Sequence, residues 1–136
     1  TPNERFIIEN FGPVYYDAAL YAFNTRNWAL EDDPGRDIYS LRAIFNDSSV
    51  PPTDEDFDRE ANIVRATRAN MRWATPTSEG AIFGSGGTRL HPFYAPYTDK
   101  TDNLWLQVRT PTQVTRYGGY DDEMIHIKVE VRESIY

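Results

Sequence analysis

Residues 123–132 alternate between apolar and polar residues almost without interruption. Branched apolar residues and charged or polar residues fall on opposite faces of an extended chain: Ile125, Ile127, Val129 and Val131 against His126, Lys128, Glu130 and Arg132. A period of two residues is typical of a strand with one face on a core and the other in water. We therefore predict a terminal strand that covers the core and pairs antiparallel, since sheets with one wet face are commonly antiparallel.

The length and charge of the chain limit its organisation and its partners. Its 136 residues suffice for one domain with a real core but are few for two, so we predict a single domain over residues 1–136. The formal net charge of −7 argues against a free-standing nucleic-acid binder. A negative surface is nevertheless compatible with passive proximity to DNA, because it repels phosphate.

Several kinds of chemistry lack their usual sequence signals. The chain has no cysteine, so it has neither disulfides nor thiolate metal sites. No apolar run reaches the roughly 18–20 residues that span a bilayer, and the first residues do not resemble a signal peptide. We therefore expect no membrane association.

The N-terminal part is predicted to be helical. Residues 3–11 carry a potential N-cap at Asn3 and place Phe6, Ile7 and Phe11 on one face. Residues 14–24 have alanines at helical spacing, although a strand over residues 20–23 is the competing prediction.

The remaining predicted elements are mostly strands. Residues 37–46, 104–109 and 113–117 have strand character, and Leu104, Leu106 and Val108 share one face. Thr53 has the spacing of a helix N-cap, so we predict a helix from there to about residue 64 and a strand after it. The predicted fold class is α+β, with N-terminal helices packed on a mainly antiparallel β-sheet of four or five strands and long loops.

Residues 76–100 form a long aromatic and glycine-rich segment with little periodicity, which predicts a loop or an arm. Pro92 and Pro96 keep its second half extended and outside a sheet interior. The rings of Phe93, Tyr94 and Tyr97 then need a surface to cover. We predict that these three residues contact another protein, while a loop packed on its own domain remains the alternative.

No pattern of residues indicates an active site. The glycine cluster at residues 84–87 lacks the lysine of a phosphate-binding loop. His91 and His126 lie 35 positions apart, without the further ligands of a metal site. The acidic clusters lack the glycine of a calcium-binding loop and suit solvated loops and helix N-termini. We expect no catalytic residue, no bound cofactor and no metal.

One short segment resembles a known family. The run Ser40-Leu-Arg-Ala-Ile-Phe-Asn-Asp47, between a short N-terminal region and a β-rich end, resembles an early strand of the small head–tail joining and neck proteins of tailed bacteriophages. The resemblance implies a ring-forming virion component, assembled in the host cytoplasm, that contacts copies of itself and neighbouring capsid, portal or tail proteins. No catalytic residue carries over from that family.

These observations favour a non-enzymatic viral structural protein of the neck, the tail or the capsid surface, assembling through protein–protein contacts. The alternative is a small α+β binding module that holds a carbohydrate or another small ligand on its aromatic loop. An enzyme using the acidic loops is the third possibility.

Replacing Phe93, Tyr94 and Tyr97 together with Ser should impair assembly and leave the isolated chain folded. Aromatic anchors of an interface often contribute about 2 kcal/mol or more each. Thermal melting, oligomer size and glycan binding of this variant separate the alternatives. A destabilised monomer would favour a loop on the core, and loss of glycan binding alone would favour the ligand module.

Overall fold

The computed structural model describes residues 5–9, 16–46, 48–74, 82–84, 101–115 and 122–133. The described residues form seven strands: β1 (Phe6–Glu9), β2 (Tyr16–Ala22), β3 (Ala29–Leu30), β4 (Ile38–Asn46), β5 (Arg72–Trp73), β6 (Thr101–Arg109) and β7 (Ile127–Glu133). Their helical elements are short: α1 (Asp54–Phe57) and two 3-10 helices, Glu60–Asn62 and Arg68–Asn70. The fold is therefore mainly β.

The strands form two sheets. The first has the order β1-β6-β4-β3 and the second has the order β5-β2-β7. All neighbouring strands are antiparallel except β3 and β4, which are parallel. One cluster of buried side chains takes Leu20 from β2, Leu41 and Phe45 from β4, and Leu104 from β6. Since both sheets contribute to this core, they pack face to face as a β-sandwich.

The prediction of N-terminal helices packed on one sheet is wrong. Residues 6–9 and 16–22 are strands, and the competing strand prediction for residues 20–23 was the better one. Strand β2 lies in the middle of its sheet, and every residue after Tyr16 in it is buried. A strand covered on both faces shows no two-residue alternation, and its alanines fit either secondary structure.

The predicted helix from Thr53 to about residue 64 is largely wrong, although its N-terminus is confirmed. Thr53 caps α1 in a capping box: its hydroxyl accepts from the Asp56 backbone N–H, and the Asp56 carboxylate accepts from the Thr53 N–H. The helix then ends after Phe57, whose ring is buried against Ile44 and Trp105 on the outer face of the first sheet. After it the only strand among the described residues up to 74 is the short β5.

The predicted strands at residues 37–46 and 104–109 are confirmed as β4 and β6, and β6 begins earlier than predicted. Leu104 is buried in the core and Leu106 packs against it, on the face that Val108 shares. Within residues 113–115 the structure shows an isolated bridge from Gln113 to Arg36 instead of a strand.

The terminal strand is confirmed as the antiparallel strand β7, but its predicted burial is only half right. Ile125 and Ile127 pack against the core. Val129 and Val131 are exposed, although they lie on the same face. The reason is their position, since among the described strands β7 has β2 as its one neighbour.

Residues 63–74 close one edge of the sandwich by crossing from the first sheet to the second. The backbone N–H of Val64 donates to the carbonyl of Leu41 in β4 (2.9 Å). Further along, the carbonyl of Arg65 accepts from Ala22 in β2 (3.1 Å). Residues 72–74 continue along β2, where the N–H of Ala74 donates to Ala18 (2.8 Å). These bonds satisfy the free side of β2, so the edge is covered.

Phe83 is a core residue inside the segment that was predicted to be a loop or an arm, of which the structure describes residues 82–84. Its side chain is fully buried and contacts the ring of Phe45 edge to face, with centroids 6.4 Å apart. Its backbone N–H donates to Ala61 (3.0 Å) and its carbonyl accepts from Phe45 (2.7 Å). These contacts hold Phe83 at a φ of 58°, which a bulky residue seldom adopts.

Replacing Phe83 with Ala should lower the free energy of unfolding by about 3–5 kcal/mol, because it leaves a cavity beside Phe45. Phe6→Ala is the matched control, since Phe6 is largely exposed. Urea unfolding of both variants measures the difference. Equal, small effects at the two positions would contradict the role of Phe83 in the core.

Candidate functional site: the open edge of the sandwich

The edge of the sandwich opposite residues 63–74 is formed by β1 of the first sheet and β7 of the second. Within the described part of the chain, β1 is paired with β6 and β7 is paired with β2, each on one side. Strand β1 also covers only residues 101–104 of β6, so the rest of β6 borders the same edge. We call this region the open edge.

The open edge exposes apolar side chains that point toward the core side of the sheets. In an antiparallel pair, residues directly opposite each other share a face. Val129 is opposite the core residue Leu20, and Val131 is opposite Ala18. Phe6 is likewise opposite Leu104. The core-facing side chains at this edge keep large exposed fractions: Phe6 62%, Val108 44%, Val129 43% and Val131 58%.

These residues are distributed along the whole edge. The crossing segment sets Leu41 of β4 at the same end of the sandwich as Ala22 of β2. Val108 is opposite Leu41, so it lies at that end. Phe6 is opposite Leu104 and Val131 is opposite Ala18, so both lie at the other end of the sandwich. The exposed apolar residues thus form a line between the two sheets.

The outer face of β7 carries charged groups that are paired with other elements. Arg68 donates through Nε and Nη2 to the two carboxylate oxygens of Glu130, at 2.6 and 3.2 Å. The hydrogen bond from Arg68 lowers the pKa of the Glu130 carboxyl below its ordinary value. The same interaction raises the pKa of Arg68. Glu130 is therefore held ionised and oriented on this face.

Arg132 lies over the indole of Trp73, with its guanidinium carbon 3.9 Å from the ring centroid. Its Nε is 3.8 Å from Oδ2 of the buried Asp17, which is the residue opposite it on β2. This cation–π contact and ion pair connect all three strands of the second sheet. They fix the end of β7 and thereby hold the open edge in place.

Some of the candidate residues from the sequence analysis lie within the described part of the chain and others lie outside it. The interface candidates Phe93, Tyr94 and Tyr97 lie outside the described residues, as does His91. His126 is described and exposed, just before β7. Gly84 is the described member of the glycine cluster, and its carbonyl accepts from Arg59 (3.3 Å).

Several described residues of the acidic clusters have partners within the fold, and Glu123 accepts from the backbone N–H of Asn27 (3.0 Å). Asp33 accepts from the buried Arg42 (3.3 Å), and Asp58 accepts from Arg109. Among the described residues, no group of three or more His, Cys, Asp or Glu side chains could hold a metal ion. The described helices also include none that is long and apolar enough to cross a membrane.

Sequence reasoning missed the open edge. The continuous apolar run of Phe6, Ile7 and Ile8 was predicted to be helical, and Val129 and Val131 were predicted to cover the core. The run is a weak signal for a strand because three apolar residues fit either structure. Exposure at the edge depends on which strands become neighbours, and no local pattern carries that information.

No protein-family model, curated protein or solved structure matches this chain. The resemblance to phage neck proteins therefore stays a prediction.

The pairing of Glu130 predicts a specific acid sensitivity. A carboxyl with a lowered pKa in the folded chain stabilises it above the pKa of the unfolded chain, and this contribution is lost as the pH falls through the folded pKa. Glu130→Gln should thus be less stable than the wild type at pH 7 and equally stable at about pH 2–3. Glu133→Gln, also on β7, is the control. Urea unfolding of both variants across this pH range measures the difference. The same pH dependence of stability in the two variants would refute the pairing.

Proposed function

We propose that this chain is a non-enzymatic structural protein of a virion, a component of the neck, the head–tail connector, the tail or the capsid surface. It assembles through contacts with copies of itself and with neighbouring virion proteins, and its place is the virion, after assembly in the host cytoplasm. The open edge supports this proposal most directly. Its core-facing apolar side chains, Phe6, Val108, Val129 and Val131, are exposed in the isolated chain.

Such an edge is a liability for a protein that acts alone. Unpaired strands with apolar side chains invite association, and soluble monomers usually shield them with charges, prolines or bulges. Strand β7 runs over seven residues without a proline, and its charged residues other than Glu133 lie on the outer face. A protein that is permanently assembled needs no such protection, since its neighbours cover the edge.

The charge of the chain is compatible with the interior of a virion. A net charge of −7 limits adhesion to DNA that passes close by, because the carboxylates repel phosphate. We include a homo-oligomeric ring in the proposal on the strength of the sequence resemblance. A ring requires a head-to-tail contact between different surfaces of neighbouring copies.

Incorporation into particles tests the proposal. Mass spectrometry of purified, nuclease-treated particles from the virus that encodes the chain should find it in several copies per particle. Val131→Ser should reduce this incorporation at least several-fold while the purified chain melts like the wild type, because Val131 is exposed and contributes little to the core.

The matched control is Val50→Ser, the same chemical change at an exposed valine in the loop before α1. It should leave incorporation unchanged. Absence of the chain from purified particles, or equal effects of the two substitutions, would refute the proposed function.

A further inference from the structure

Strand β7 has an unpaired side and a charge sequence that is complementary to itself. Its side away from β2 has no partner strand among the described residues. Along β7 the outer face presents Lys128, Glu130 and Arg132 in turn, and the core-facing side presents Ile127, Val129 and Val131. We propose that two copies of this chain pair through β7, antiparallel, about a two-fold axis that passes between the two Val129 residues.

Over residues 127–131 this register matches both faces of the strand, and Glu133 falls opposite Ile125, which precedes β7. With Val129 opposite its own copy, Lys128 of each chain is opposite Glu130 of the other, which gives two attractive pairs on the outer face. On the core-facing side, Ile127 of each chain is opposite Val131 of the other. The exposed valines of the open edge are then covered by apolar side chains of the second copy.

Neighbouring registers place less favourable pairs of residues opposite each other. A two-fold axis at Lys128 or at Glu130 sets that charged residue against its own copy, and like charges directly opposite are destabilising. An axis at Val131 places Val129 opposite Glu133 on the core-facing side. A two-fold axis midway between two consecutive residues would place an apolar residue of one chain opposite a charged residue of the other. Since opposite residues share a face, the core-facing side of one copy would then continue into the outer face of the other. The self-complementary register is thus selected by charge and by burial together.

The charges on the outer face are prepared for this contact. Glu130 is already ordered by Arg68, and its two carboxylate oxygens keep lone pairs for a second cation. Lys128 makes no ion pair within the described residues, and its side chain is exposed. Pairing would extend the Arg68–Glu130 ion pair into a three-membered network across the two copies. Such networks contribute more than isolated surface pairs.

The resulting dimer has one continuous six-stranded sheet, with the strand order β5-β2-β7 followed by its symmetry copy. The contact is isologous, so it pairs two chains and closes on itself. A ring would need a separate head-to-tail contact. The inference rests on the proposed assembly role and names one partner in it, a second copy of the chain.

Single cysteines test the register, because the chain has none of its own. Val129→Cys should form a disulfide-linked dimer under mild oxidation, since facing residues have Cβ atoms about 4.5–5.5 Å apart. Val131→Cys is the matched control and should stay monomeric on a denaturing gel, because the two Val131 positions are offset by roughly 13 Å along the strands. Cross-linking of the Val131 variant alone would overturn the register, and cross-linking of neither would overturn the contact.

Charge reversal gives a second test that does not depend on disulfide geometry. Lys128→Glu and Glu130→Lys should each weaken self-association about tenfold, since two attractive cross-strand pairs become repulsive. An equimolar mixture should recover association as a mixed dimer, in which each Glu faces a Lys. Arg26→Glu, with the same charge change outside β7, is the control for Lys128→Glu.

Native mass spectrometry or sedimentation velocity at high protein concentration measures the self-association of the single charge variants and of their mixture. Failure of the mixed dimer to form would overturn the pairing. Dimers without incorporation into particles would refute the proposed function alone, and incorporation without dimers would refute this contact alone.

Discussion

The backbone hydrogen bonds of residues 63–74 set the architecture of this protein. One stretch of chain donates to β4 and then both accepts from and donates to β2, so it joins the two sheets at one edge and satisfies polar groups of both. These bonds fix the position of the first sheet relative to the second at that edge. That edge is covered by the chain itself, whereas the exposed core-facing side chains of β1, β6 and β7 lie at the opposite edge.

The outer faces of the sheets depend on a few polar residues that reach across elements. Arg42 is the clearest case. Its guanidinium is buried and donates to the carbonyls of Asp32, Phe57 and Arg59 at 3.2 Å each. One side chain on β4 thereby fixes the loop before β4, the end of α1 and the turn after it. Removing it would take this donor from the Asp32 and Phe57 carbonyls, whereas the Arg59 carbonyl would keep the N–H of Asn62 (3.0 Å). Losing a hydrogen-bond partner is costly for a buried carbonyl.

The amount of structure that the sequence could predict differs from strand to strand. Strands β6 and β7 have one face toward the core, so their alternation was readable and both strands were predicted, although their first residues were not. Strand β2 is covered on both faces, and its alanines gave the pattern of a helix. Phe83 could not be recognised as a core residue, because its neighbours in sequence are glycine-rich and its backbone conformation is imposed by Phe45 and Ala61. The charges of β7 were equally readable, but its lack of a second neighbour among the described strands follows only from the assembled sheets.

The pairing of β2 with β7 also determines when the second sheet can form. Tyr16 is opposite Glu133, so the central strand near the start of the chain is paired with a strand near its end. Closing so long a loop slows folding, and a chain synthesised from its N-terminus exposes β2 until the last strand has emerged. The first sheet is also incomplete before β6 has been made. The second sheet thus cannot form before β7 has been made, and the buried alanines and Leu20 of β2 are the residues that need protection in the interval.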